Sequence, residues 1–165
     1  MRKLILGLLI FGLTSQLNAQ VIELEAVELT AVNYKYLNAV DSKEVPVPVK
    51  MLQQKVAEFD LKNAEFYTDE YDLYEVRFFI PEGKILAAYN KDGVIIRTAE
   101  RFKNVKLPEM VRFAVADRYP GWEIEKDVYR VDYYDGDSNR QWKVVLTKGD
   151  KKKRVKLDGY GKFLK

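Results

Sequence analysis

This chain of 165 residues contains no cysteine and no histidine. Disulfides are therefore impossible, and zinc sites of the usual kinds, which draw on Cys and His, are excluded. Ser-His-Asp and Cys-His nucleophile systems are excluded with them. Glycine is sparse, with 9 residues scattered through turn-like positions, so no phosphate-cradling Gly-rich loop is formed. No apolar run reaches the ~20 residues that span a bilayer. A dominant charge is missing too. The formal charge is +3, but Arg2 and Lys3 lie in a first segment without acids; removing those two from 28 basic residues leaves 26 against 25 acidic, a net +1. That near balance is not the basic excess expected of a nucleic-acid binder.

What is present is globular in composition: 47% hydrophobic, 32% charged and 13% aromatic, with 11 Tyr and 8 Phe. Met1-Arg2-Lys3 is followed by an apolar run from Leu4 to Leu13 and then by small and polar residues to Ala19. This is the pattern of a secretory signal peptide over residues 1–19, cleaved after Ala19. Residues 20–46 read as an N-terminal arm and linker. Ile22, Leu24 and Ala26 alternate with Glu23 and Glu25, an edge-strand pattern. Tyr34 and Tyr36 either clamp this arm onto the domain or serve as contact residues.

The stretch from Leu107 to Ile124 organises the second half. Pro108 suits the first turn of a helix. Val111, Ala114, Val115 and Arg118 recur at helical spacing, Pro120-Gly121 stops the helix, and Trp122 and Ile124 open an alternating strand. The first half repeats the plan. Val49, Leu52, Val56 and Phe59 make an amphipathic helix. Strands are predicted at Ala64–Thr68, Tyr74–Ile80, Ile85–Tyr89 and Val94–Thr98, with hairpin signals at Pro81-Glu82-Gly83 and Asn90-Lys91-Asp92-Gly93. Later strands are predicted at Trp122–Tyr134, Gln141–Lys148, Arg154–Leu157 and Lys162–Leu164. Pro48 corresponds to Pro108, and Asp92-Gly93 to Asp158-Gly159. The expected fold is α+β: two tandem repeats, each a helix plus a four-stranded antiparallel sheet, spanning residues 47–105 and 106–165, the sheets lying side by side or joined as one, with the helices packed on one sheet face and the other face open.

These residues resemble the PepSY-like family, also described as β-lactamase-inhibitor-like. The likeness rests on Leu107-Pro108, Val111, Ala114, Ala116, Tyr119-Pro120-Gly121, Ile124, the strand from Trp142 to Leu146, and Asp158-Gly159 before Lys162-Phe163-Leu164. In the first half it rests on Tyr74-Glu75-Val76, Gly83-Lys84, Ala87-Ala88-Tyr89 and Asp92-Gly93. The resemblance covers residues 47–165. It implies a small periplasmic or secreted protein that grips a protein partner with a concave sheet face. It carries over no catalytic residue and no cofactor. The inhibitor's contact loops have no matching motif here.

Several motifs invite sharper readings. Asp135-Gly136-Asp137-Ser138-Asn139 begins like a calcium loop but has Arg140 where Gly is needed and Leu146 where Glu is needed, so a hairpin turn is favoured. Lys151-Lys152-Lys153-Arg154 is either a solvated strand edge or an anion-binding patch. No spacing singles out a carboxylate pair. The function expected is a non-enzymatic binding module of the periplasm or exterior. Its partner is a protein of the envelope or extracellular space, with no nucleic acid and no stable membrane insertion after signal cleavage. The contact candidates are Tyr74, Phe79, Tyr89, Tyr129, Tyr133 and Trp142. The alternative is a small-molecule or envelope-glycan binder with a cavity between sheet and helices.

Overall fold

Two-residue and three-residue turns fold the strand-forming runs back on their predecessors. At Asp135-Gly136 both residues take positive φ, 43° and 101°, the backbone that a tight hairpin matching the sheet's twist requires. Asn90 closes the earlier hairpin with its own side chain, whose Oδ1 accepts from the Asp92 and Val94 N–H groups at 3.0 and 2.9 Å. In this computed structural model, which describes residues 33–42 and 44–165, the strands are β1 Leu73–Ile80, β2 Gly83–Asn90, β3 Ile95–Lys103, β4 Glu123–Tyr134, β5 Asp137–Lys148, β6 Lys151–Asp158 and β7 Phe163–Leu164. They form one seven-stranded sheet in chain order, each strand antiparallel to the next. The helices are α1 Tyr34–Val40, α2 Val47–Ala57 and α3 Glu109–Arg118. The signal-peptide reading of residues 1–19 and the strand expected from Val21 lie outside the described residues.

The expected two tandem helix-plus-four-strand repeats are corrected by this topology. The sheet is continuous, because β3 and β4 pair in register from Arg97↔Tyr134 to Lys103↔Val128. The first half supplies only β1 to β3 to it. Ala64–Thr68, predicted as a strand, is a run of turns. There Ala64 N–H donates to the Leu61 carbonyl and Tyr67 N–H to the Ala64 carbonyl. Asp60 helps fold it, accepting from the Asn63 side chain at 2.7 Å. Residues 34–40, predicted as arm, form α1 instead. Pro108 sits just outside α3 rather than inside it, and the first N–H of that helix, on Glu109, donates to the Glu44 carboxylate at 2.8 Å.

One side of the sheet is covered. Val49, Leu52 and Val56 of α2, Tyr36 and Val40 of α1, and Val111 and Val115 of α3 are buried. They share a core with Ile85, Phe102, Val131, Trp142, Leu146 and Leu157. Arg118 lays its guanidinium over the Phe163 ring, 4.5 Å from the centroid, so its stem covers apolar surface as its place on the helical stripe implies. Two polar side chains tie the helices down by their ends. Asn33 donates to the Ala57 carbonyl at the end of α2 and to the Gly93 carbonyl, and its Oδ1 accepts from Ile95 N–H at 2.8 Å. Arg140 donates to the Ala39 and Asp41 carbonyls at the end of α1, at 2.7 and 3.0 Å, where a cation is favoured.

The most deeply placed tie is Glu100 on β3. It is buried, and its carboxyl accepts from Tyr36 Oη of α1 and Gln53 Nε2 of α2, both at 2.8 Å, and from Thr98 Oγ1 at 2.9 Å. Burial raises its pKa from 4.5 to about 7, against the opposing pull of the Gln53, Tyr36 and Thr98 hydrogen bonds. The folded state therefore holds a proton that the unfolded chain releases near 4.5. Stability from this group is full below that value, falls as pH rises through about 7, and is level above. Denaturant unfolding at pH 5 and pH 8 is expected to show a loss on the order of 3 kcal/mol attributable to this carboxyl. Glu100→Gln is expected to flatten the difference. An equal pH dependence in the variant would assign it elsewhere.

Candidate functional site

The expected contact aromatics do not form a surface. Tyr74, Tyr89, Tyr129, Tyr133 and Trp142 all lie on the covered side and are buried. The physical reason is parity. In each strand these rings share the alternating positions of the core aliphatics, and the register lines them up as Tyr74↔Tyr89 and Phe102↔Tyr129↔Trp142↔Leu157. Two of their hydroxyls are spent internally. Tyr89 Oη donates to the Val56 carbonyl at 2.7 Å and Tyr74 Oη to the Thr68 carbonyl. Tyr129 stacks on Trp142 with centroids 4.3 Å apart, and burial pushes its hydroxyl up to about 12. Phe79 alone of the six faces the other way, 65% exposed at the outer strand β1.

The face on which Phe79 lies carries cations instead. In one rung, directly opposed residues run Phe79↔Lys84↔Arg101↔Arg130↔Gln141↔Asp158, with the one carboxylate at its far end. The next rung reads Lys103↔Val128↔Lys143↔Lys156, and the one beyond it Lys126↔Val145↔Arg154. Neighbouring rungs in the other direction hold Arg77↔Leu86↔Ala99↔Asp132 and Glu75↔Ala88↔Arg97↔Tyr134. Here charges compensate: Arg97 pairs with Glu75 at 2.8 Å. On the cationic rungs they do so only at Lys126, 3.6 Å from the Glu125 carboxylate. Among the described residues no carboxylate lies in ion-pair contact with Lys84, Arg101, Arg130, Lys103, Lys143, Lys156 or Arg154. Arg130 Nε is shielded and unbonded among them as well.

Like charges directly opposed across strands destabilise a sheet. Lys84↔Arg101, Arg101↔Arg130 and Lys143↔Lys156 are three such pairs. Local conflict of this kind concentrates where a chain serves something other than its own stability. The surface between the cations is concave. One depression of about 410 Å³ is lined on this face by Val128 and Val145 and by Lys126, Lys143, Arg154 and Lys156. A second of about 240 Å³ lies around Leu86 and Ala99, between Arg77, Lys84, Arg101 and Arg130, with the carboxylate of Asp132 also lining it.

The basic tract Lys151–Arg154 is divided by the same alternation. Lys153 reaches over the Tyr119 ring at 5.1 Å on the covered side. Lys152 binds Glu125 at 2.9 Å, which holds that carboxyl below its usual range. Arg154 joins the open face. The Asp135 carboxylate of the calcium-loop-like stretch is occupied by Lys35 at 2.8 Å.

Sequence reasoning missed the cationic rungs because overall charge is nearly balanced. The signal was present as Lys and Arg at alternating positions: Arg97, Arg101 and Lys103; Lys126 and Arg130; Lys152, Arg154 and Lys156. No family model, no curated protein and no solved structure matches this chain. Among the described residues no helix is long and apolar enough to cross a membrane.

If the opposed cations carry the cost ascribed to them, Arg101→Thr should stabilise the fold by several tenths of a kcal/mol at low ionic strength. That gain should shrink in about 0.5 M salt, where surface charges are screened. Thermal melts at the two ionic strengths read both effects. A salt-independent loss of stability would mean that Arg101 supports the sheet.

Proposed function

We propose that this chain is a non-enzymatic binding module of the periplasm or extracellular space, which takes a protein partner on the open face of its sheet. The observation that supports the reading is a face that no described residue covers, where cations without ion-pair partners among the described residues stand beside half-buried valines, while the helix-bearing face takes up most of the strands' aromatic residues. Charge left uncompensated on one protein is what a complementary partner neutralises, with gains in encounter rate and specificity. The resemblance of residues 47–165 to the PepSY-like family points the same way, as does the signal-peptide pattern of residues 1–19.

An enzymatic role has weaker support. Glu100, whose carboxyl is displaced to about 7, is buried under the helices with its oxygens engaged by Tyr36, Gln53 and Thr98. A substrate has no approach to it there. A small ligand or glycan held between sheet and helices also has less support, since the larger depressions lie on the opposite face.

A photoreactive amino acid placed at Lys143 on the open face, and separately at Arg112 on the exposed side of α3, tests the assignment of faces. Irradiation with the envelope fraction of the source cells is expected to give a discrete adduct from position 143 and none from position 112. The same adduct from both positions, or one from position 112 alone, contradicts the proposal.

A further inference from the structure

Resting on that reading, we infer that the open face is built for an acidic polypeptide segment in which carboxylates alternate with aliphatic side chains. Two features together select this chemistry. The first is the charge. Lys84, Arg101 and Arg130 form one rung and Lys103, Lys143 and Lys156 the next. Adjacent strands lie about 4.8 Å apart, so these cations make a dense band rather than isolated points. Arg101 and Arg130 offer planar forks that match carboxylates in bidentate fashion.

The second feature is what lies between the charges. Val128 stands between Lys103 and Lys143 in its rung, and Val145 between Lys126 and Arg154 in the next. Together they line the depression of about 410 Å³. An anion held by the cations would place its neighbouring groups over aliphatic side chains. A polypeptide carries carboxylates and aliphatic groups on one backbone, at the two-residue alternation of an extended strand.

Other polyanions match one feature and not the other. Nucleic acid and anionic polysaccharide bring charge but no aliphatic group for the valines. Single-stranded nucleic acid also needs aromatic platforms for its bases, and the cationic rungs carry none beyond Phe79 at the sheet's outer strand. An anionic membrane needs projecting apolar residues that enter the interface. Val128 and Val145 instead are half-buried and share their depression with longer cationic side chains.

The test is titration of the intact protein with a fluorescent peptide of alternating Glu and Leu, followed by anisotropy. Poly-Glu, a sulfated polysaccharide, duplex DNA and phosphatidylglycerol vesicles serve as competing probes. The Glu-Leu peptide is expected to bind more tightly than poly-Glu and the other probes, with affinity falling as salt rises. Arg101→Gln with Arg130→Gln should weaken it by at least about tenfold. Val128→Asp should weaken the Glu-Leu peptide and remove its advantage over poly-Glu. The arginine substitutions relieve an opposed-charge pair, so loss of binding with an unchanged or raised melting temperature is not a folding defect. If DNA, polysaccharide or vesicles bind through the same arginines while the peptide does not, the polypeptide inference is overturned and the open face stands as a binding surface. If no probe responds to the arginine substitutions and position 143 gives no adduct, both readings fall.

Discussion

The fold depends on which side of one sheet is covered, and the buried carboxyl of Glu100 is central to that choice. It lies on β3, within a continuous meander, and receives Tyr36 from α1 and Gln53 from α2. A buried carboxyl without such donors would be costly. The two helices are therefore fixed to this face by polar complementarity as well as by the apolar stripe of Val49, Leu52 and Val56. Asn33 and Arg140 secure the helix ends at neighbouring points. Once the helices are committed to this side, the strands' other parity has no cover among the described residues.

That other parity explains how a chain of nearly neutral overall charge presents a cationic surface. The strand positions facing the helices are taken by Tyr, Trp, Phe and aliphatic residues, and those facing outward by Lys and Arg in successive rungs. Many acidic residues go elsewhere: to turns, as with Asp60, to helix ends, as with Glu44 at α3, and to the flanking rungs, as with Glu75 and Asp132, while Asp158 closes the first cationic rung opposite Gln141. Segregation, not net charge, carries the functional reading. The repulsion between opposed cations is a local cost that a partner's anions would relieve.

Much of the local structure was legible in the sequence. The helical stripes of α2 and α3, the Asn90–Gly93 hairpin and the alternating strands follow from spacing and turn chemistry. The short run at Ala64–Thr68 misled because a few apolar residues between turn formers fit a strand as well as a compact loop. The duplicated plan suggested two units, whereas β3 and β4 pair across the proposed boundary and merge them. That pairing is a long-range fact with no local signature. The contact aromatics failed for a related reason. Alternation shows that Tyr129, Val131 and Tyr133 share a face, but not which face the helices will cover. The cation rungs needed the register as well, since Arg101 and Arg130 become neighbours only when the strands are aligned. Glu100 gave no sign at all, appearing as one more charged residue just past the predicted strand Val94–Thr98.

The measurement that bears most directly on this account is methyl NMR with two paramagnetic probes of equal size, one anionic and one neutral. The anionic probe is expected to broaden the methyl signals of Leu86, Val128 and Val145, beyond the effect of the neutral probe, and to leave Val144, Leu146 and Leu157 unaffected. Equal broadening by both probes would show that the open face does not concentrate anions. Broadening of Val144, Leu146 and Leu157 instead would show that the helices cover the wrong side of the sheet, and the assignment of faces would be overturned.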